Sequence, residues 1–171
     1  MSPEIGPGTV FRHSRAMRHF IPVAILWLVL AVPAAAGDIV GKPHVIDSDT
    51  MEVAGRYIRI FGIDAPDLGQ TCNANGAVWS CGKEAVYALE SLVGDKEVAC
   101  VGDRRSLGRC LVAKCYVGTH DVARVMIFRG WALAHRETTD EYVPEEDDAR
   151  VHKRGLWRGE FTPPWTYRKN L

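Results

Sequence analysis

The chain has no surplus of either charge, no Cys-x-x-Cys pair, no internal repeat and no low-complexity linker. Its 21 Lys+Arg balance 21 Asp+Glu, which excludes a polybasic coat for nucleic acid. A polyanion must therefore be gripped by a local basic site, with help from a metal. The absence of Cys-x-x-Cys spacing argues against zinc, and the absence of repeats excludes a repeat array. The longest apolar run, residues 21–32, has 12 residues and contains Pro22, too short for a comfortable membrane span.

That run sits between a basic lead-in (Arg12, Arg15, Arg18) and "AAAG", the layout of a secretory signal cleaved after Ala36. The sequence thus predicts a signal peptide over 1–36, with Met17 as an alternative start, and a mature domain over 37–171. A secreted or periplasmic protein with no membrane association after cleavage is expected. Cleavage removes three arginines and one glutamate and leaves 18 basic against 20 acidic residues. All five cysteines lie in the mature part, and export favours disulfides. Cys72 and Cys81 would clip a short loop. Cys100 could pair with Cys110 or Cys115, with Cys115 favoured.

From 38 to 63 the segments "DIVGKPHVI", "TMEVA" and "RYIRIFGI" read as strands, the last two joined by a turn at Ala54-Gly55. "DAPDLGQTCNANGAVWS" reads as a long loop, and "CGKEAVYALESLVG" as a helix ending at Gly94. "KEVACV" and "CLVAKCYV" form an antiparallel pair around the basic loop "GDRRSLGR". "HDVARVMIFRG" and "PEEDDARVHKRG" are two further helices, and "LWRGEFTPPWTYRKN" is an irregular aromatic tail packed on the body. Five strands with an inserted helix suit an α+β domain built on a small closed barrel of the OB type with three helices.

The charged residues at strand ends carry the chemistry. Asp47 and Asp49 flank one turn; an aspartate there can simply bond its own backbone. A hairpin turning at 54–55 pairs residues whose numbers sum to roughly 110, so Asp49 comes across from about Ile60 or Phe61, close to Asp64. Asp49 and Asp64 can converge on one oxygen-rich site, which a hard cation such as Ca²⁺ prefers. No histidine interrupts "VIDSDT" or "RIFGIDAPD". Arg59, Arg104, Arg105 and Arg109 supply positive charge nearby. The plainer reading of Arg59 pairs it with Glu52 across the hairpin.

"VIDSDT", "RIFGIDAPD", "LGR" and "GLW", in this order and spacing, resemble the staphylococcal nuclease (thermonuclease) family over roughly 38–160. The resemblance implies an OB-fold barrel and a Ca²⁺-dependent phosphodiesterase that acts on single-stranded DNA or RNA and leaves 3′-phosphate ends. It assigns Asp49, Asp64 and the Ala65 carbonyl as calcium ligands, with Asp47 as a supporting carboxylate behind them. Arg59 and Arg109 fall on the two arginines that grip the scissile phosphate, and Asp67 on the acid that orients the attacking water. A monomer is expected. Four departures bear on activity: Asp67 stands for a glutamate, shortening the reach by about 1.5 Å; Leu107 and His135 stand for tyrosines; Ser48 stands for a glycine. Retained ligands and arginines favour a nuclease. The alternative is a catalytically weakened OB-fold module that binds nucleic acid or protein at the same face.

Overall fold

A computed structural model describes residues 38–102, 106–107 and 110–171. The predicted signal segment 1–36 and its alternative start Met17 lie outside these residues, as do Arg104, Arg105 and Arg109. The architecture is mixed α+β. In chain order the elements are β1 (Ile39–Gly41), β2 (Pro43–Asp47), β3 (Thr50–Val53), β4 (Arg56–Ile60), β5 (Ile63–Asp64), β6 (Cys72–Ala74), β7 (Ala77–Trp79) and α1 (Cys81–Val93). There follow β8 (Val98–Val101), β9 (Ser106–Leu107), β10 (Cys110–Val117), β11 (His120–Asp121), α2 (Val122–Phe128), β12 (Leu133–Ala134), α3 (Val143–Val151) and α4 (Pro164–Lys169).

The main sheet runs β1-β8-β10-β4-β3-β2, with β9 and β11 added to β10. Lys42 alone separates β1 from β2, yet these two strands stand at opposite ends of that order. One stretch of chain therefore pairs at both edges. The predicted count of five strands gives way to shorter, more numerous segments because two strand candidates are interrupted, at Lys42 and at Phe61-Gly62.

The β3–β4 hairpin turns where the sequence places it. Ala54 and Gly55 both have positive φ, 49° and 73°, the left-handed pair whose twist suits a two-residue hairpin. Thr50 pairs with Arg59 and Met51 with Ile58. Alternation then sends Met51, Val53, Ile58 and Ile60 into the core, each no more than 1% exposed. Leu89 and Val93 of α1 join this cluster with Val122, Met126 and Ile127. The β3–β4 pair is fixed by burial on one face. Arg59 alternates with the core residues Ile58 and Ile60 and is half-buried.

Two expectations are corrected. The loop 64–80 contains a second hairpin, β6–β7, turning at Asn75-Gly76 with φ of 52° and 79°. Asn-Gly is itself a strong hairpin signal, hidden here among other turn formers. The tail is not wholly irregular: it ends in α4, so the described residues hold four helices rather than three. Pro164 occupies the first turn of α4, where its missing N–H costs nothing.

Disulfides join Cys72 to Cys81 and Cys100 to Cys115, and Cys110 is a free thiol. Cys100 and Cys115 face each other in the β8–β10 register. Closing a loop of that length stabilises a fold by about 3 kcal/mol through the unfolded chain. Two disulfides accord with an extracytoplasmic compartment. Among the described residues no helix is long and apolar enough to cross a membrane.

Candidate active site

Asp49 and Asp64 reach one another through a single nitrogen. Arg59 Nη2 donates to Asp49 Oδ2 at 2.8 Å and to Asp64 Oδ1 at 3.3 Å. Asp49 precedes β3, and its carbonyl accepts from the Ile60 amide at 2.9 Å, as the predicted register requires. Asp64 ends β5 and pairs with Leu133 of β12. Both carboxylates are buried, Asp49 at 6% and Asp64 at 2% exposure. The Glu52 pairing for Arg59 does not occur; Glu52 lies opposite Tyr57.

The two acid-bearing segments are tied together. Ser48 is fully buried, and its hydroxyl donates to the Pro66 carbonyl at 2.5 Å. Its φ is not positive, so serine in place of the family's glycine costs no strain and adds a clamp between the 47–49 turn and the 64–67 loop. Asp47 accepts from the Ser48 amide at 2.8 Å, the local backbone bond that the turn reading expects. The 67–70 loop lies against the first turn of α1 because position 82 is glycine. A Cβ there would stand 1.9 Å from the Asp67 carbonyl oxygen.

Burial pushes the Asp49 carboxyl above its ordinary value, against the opposing pull of Arg59 and the Thr50 hydroxyl. Burial likewise raises Asp47, partly offset by the Ser48 amide. Both shifts follow from the cost of burying a charged carboxylate.

Sequence reasoning missed Arg168. From α4 its Nη2 donates to both oxygens of Asp64, at 2.7 and 2.6 Å, and its Nη1 to Asp67 Oδ1 at 2.9 Å. Burial opposes its charge, but the hydrogen bonds to Asp64 and Asp67 hold the guanidinium above its ordinary value. The basic end of "PPWTYRK" was the available signal, yet nothing local connects it to residues 104 positions earlier.

Among the described residues no three His, Cys, Asp or Glu side chains converge as a metal cluster. The donors that do converge, Asp49 and Asp64, are hard oxygens and fit a Ca²⁺ ion that completes its shell with a carbonyl and water. Ala65, whose carbonyl the resemblance nominates, is buried beside Asp64. Tyr142 offers no stacking face: it is fully buried, and its hydroxyl donates to Asp121 at 2.9 Å. His135 shares a hydrogen bond with the Thr138 hydroxyl at 2.6 Å. It lines a cavity of about 880 Å³ walled by Trp157, Phe161 and Trp165.

Two comparisons bear on this arrangement. The sequence profile of the family described as staphylococcal nuclease homologue matches residues 57–159. Over 132 residues the chain is 34% identical to a succinoglycan biosynthesis protein, ExoI, of Rhizobium meliloti (strain 1021), a stretch covering 74% of this chain and 68% of that protein.

Proposed function

The chain belongs to the staphylococcal nuclease homologue family, and on that premise we propose that it is a secreted, calcium-dependent phosphodiesterase cleaving single-stranded DNA or RNA. The pairing of one stretch of chain at both ends of the strand order supports the OB-type barrel. The observation that carries the proposal is the meeting of Asp49, Asp64 and Arg59: a hard-cation site and a guanidinium within one hydrogen bond of each other.

Asp49, Asp64 and the Ala65 carbonyl would hold the ion. When bound, calcium supplies Lewis-acid neutralisation of the phosphate oxygens. The chain's own residues do the rest. Hydrolysis of a phosphodiester puts extra negative charge on the equatorial oxygens, and Arg59 can bond two of them without losing its proton. Arg109 takes the second arginine role in this proposal. Such contacts act mostly on the transition state and are typically worth on the order of 3 kcal/mol each. Asp67, half-buried at the mouth, orients the attacking water. Bond cleavage leaves the phosphate on the 3′ oxygen.

Arg168 favours a second reading. It engages a proposed metal ligand and the water-orienting acid at once, as a module that binds without cleaving could tolerate. Incubation of the disulfide-bonded protein with single-stranded DNA, in calcium or in EGTA, separates the two. The nuclease cleaves only in calcium, and Asp64→Asn abolishes cleavage; tight DNA binding without cleavage selects the second reading. Succinoglycan is the control polymer and stays intact.

A further inference from the structure

The tail carrying Arg168 is fastened at one end and held by charge at the other. Glu160 exchanges backbone hydrogen bonds with Asn73, at 2.7 and 2.9 Å. The fully buried Gln70 donates from Nε2 to the Thr162 carbonyl at 2.7 Å. A Cβ on Gly159 would stand 2.1 Å from the Asn73 carbonyl, so the strap lies tight on the disulfide-clipped hairpin. Beyond that anchor, α4 buries only Pro164. What holds its far end is the fork of Arg168 on Asp64 and Asp67.

We propose that Arg168 is a tethered counter-cation for the acidic site, and that calcium binding and docking of α4 exclude one another. The inference rests on the calcium reading above. Both oxygens of Asp64 accept from Arg168 in the docked state, and an ion coordinated by Asp64 competes for those oxygens and repels the guanidinium beside them. A guanidinium one short helix away from a fixed anchor meets its acids at high effective concentration. If α4 is docked for about 90–99% of the time in the absence of metal, the apparent calcium affinity falls about 10- to 100-fold below that of the open site. Linkage requires the reverse as well: calcium must loosen α4 by the same factor. Docking also occupies Asp67, so one side chain withholds a metal ligand and the water-orienting acid together. An α4 with so little buried apolar surface is suited to open locally without disturbing the core.

The test is a calcium titration by calorimetry of the full disulfide-bonded chain and of its Arg168→Ala and Arg168→Lys variants. It is paired with backbone hydrogen exchange over residues 164–169 with and without calcium. Arg168→Ala should bind calcium at least about tenfold more tightly than wild type, with Arg168→Lys between them because a lysine keeps the charge and loses the fork. In the wild type, exchange over 164–169 should speed up on calcium saturation. Equal or weaker calcium binding by Arg168→Ala, or unchanged exchange in the wild type, overturns the proposal and leaves the calcium reading standing. No calcium binding by any of the three overturns the calcium reading and takes this proposal with it.

Discussion

Two buried acids in this molecule are each held by two arginines, and they are not alike. Glu146 on α3 is 3% exposed. Arg136 lies 3.1 Å from one of its oxygens and Arg150 3.5 Å from the other, while Arg150 also pairs with Asp147. Two cations there face two carboxylates, and the region is balanced. Asp64, 2% exposed, is held by Arg59 and Arg168, but those two cations bond three carboxylates, Asp49, Asp64 and Asp67, and Asp47 adds a fourth negative charge beside Asp67. Among the described residues that region carries more negative than positive charge. A balanced cluster ties an element to its neighbours. A cluster left in deficit, with part of it desolvated, suits the cation site proposed above.

The difference can be broken by substitution. The largest effect is expected at Asp64. Asp64→Asn lowers the initial rate of single-stranded DNA cleavage in calcium by at least about a thousandfold, and Arg59→Ala by about 10²–10³-fold. Residual rates within tenfold of wild type would show that this cluster is structural, like that at Glu146. Next comes Gly82→Ala, whose methyl collides with the Asp67 carbonyl. It should lower stability by about 1–3 kcal/mol in urea unfolding, and it should lower kcat by displacing Asp67 from the mouth. An unchanged unfolding midpoint would mean that the 67–70 loop yields freely.

Asp67→Glu sharpens the contrast from the other side. Restoring the methylene should raise kcat several-fold, because small errors of placement cost large factors in rate. A fall in kcat would show that the loop has adapted to the shorter acid and its Arg168 partner.

The smallest effect belongs to Glu146→Gln. Burial, partly offset by Arg136 and Arg150, holds the Glu146 carboxyl above its ordinary 4.5. An acid raised on folding contributes stability that is fully present below its unfolded value and lost as pH rises through the folded one. The difference between wild type and Glu146→Gln should therefore shift in favour of the glutamine variant as pH climbs from about 4.5. The melting temperatures should differ by only about 2–4 °C, and calcium affinity should not change. A change in calcium affinity would couple the two regions and dissolve the comparison.

What was legible in the sequence was what lies close together along it. The turn at Ala54-Gly55 sets the register that brings Asp49 to Ile60 and so to Asp64, and period-two burial leaves Arg59 on the face opposite the core. Cys100 faces two candidates, Cys110 and Cys115, on one paired strand; Cys115 is favoured, and the register decides for it. The β6–β7 hairpin was obscured by a surrounding run of turn formers. Ser48 reads as a departure from the family, yet its hydroxyl on Pro66 depends on the approach of two loops that no local pattern reports. Arg168 was the hardest to foresee. Its place depends on a strap held by backbone bonds to Asn73, the Gln70 side chain on Thr162 and the close approach at Gly159, none of which a local pattern reports.

The central claim is tested most directly by counting calcium ions. Calorimetric titration of the disulfide-bonded chain should find one calcium per molecule, and Asp64→Asn should abolish that binding while the protein stays folded. Zero ions in the wild type, or one that persists in Asp64→Asn, would contradict the account.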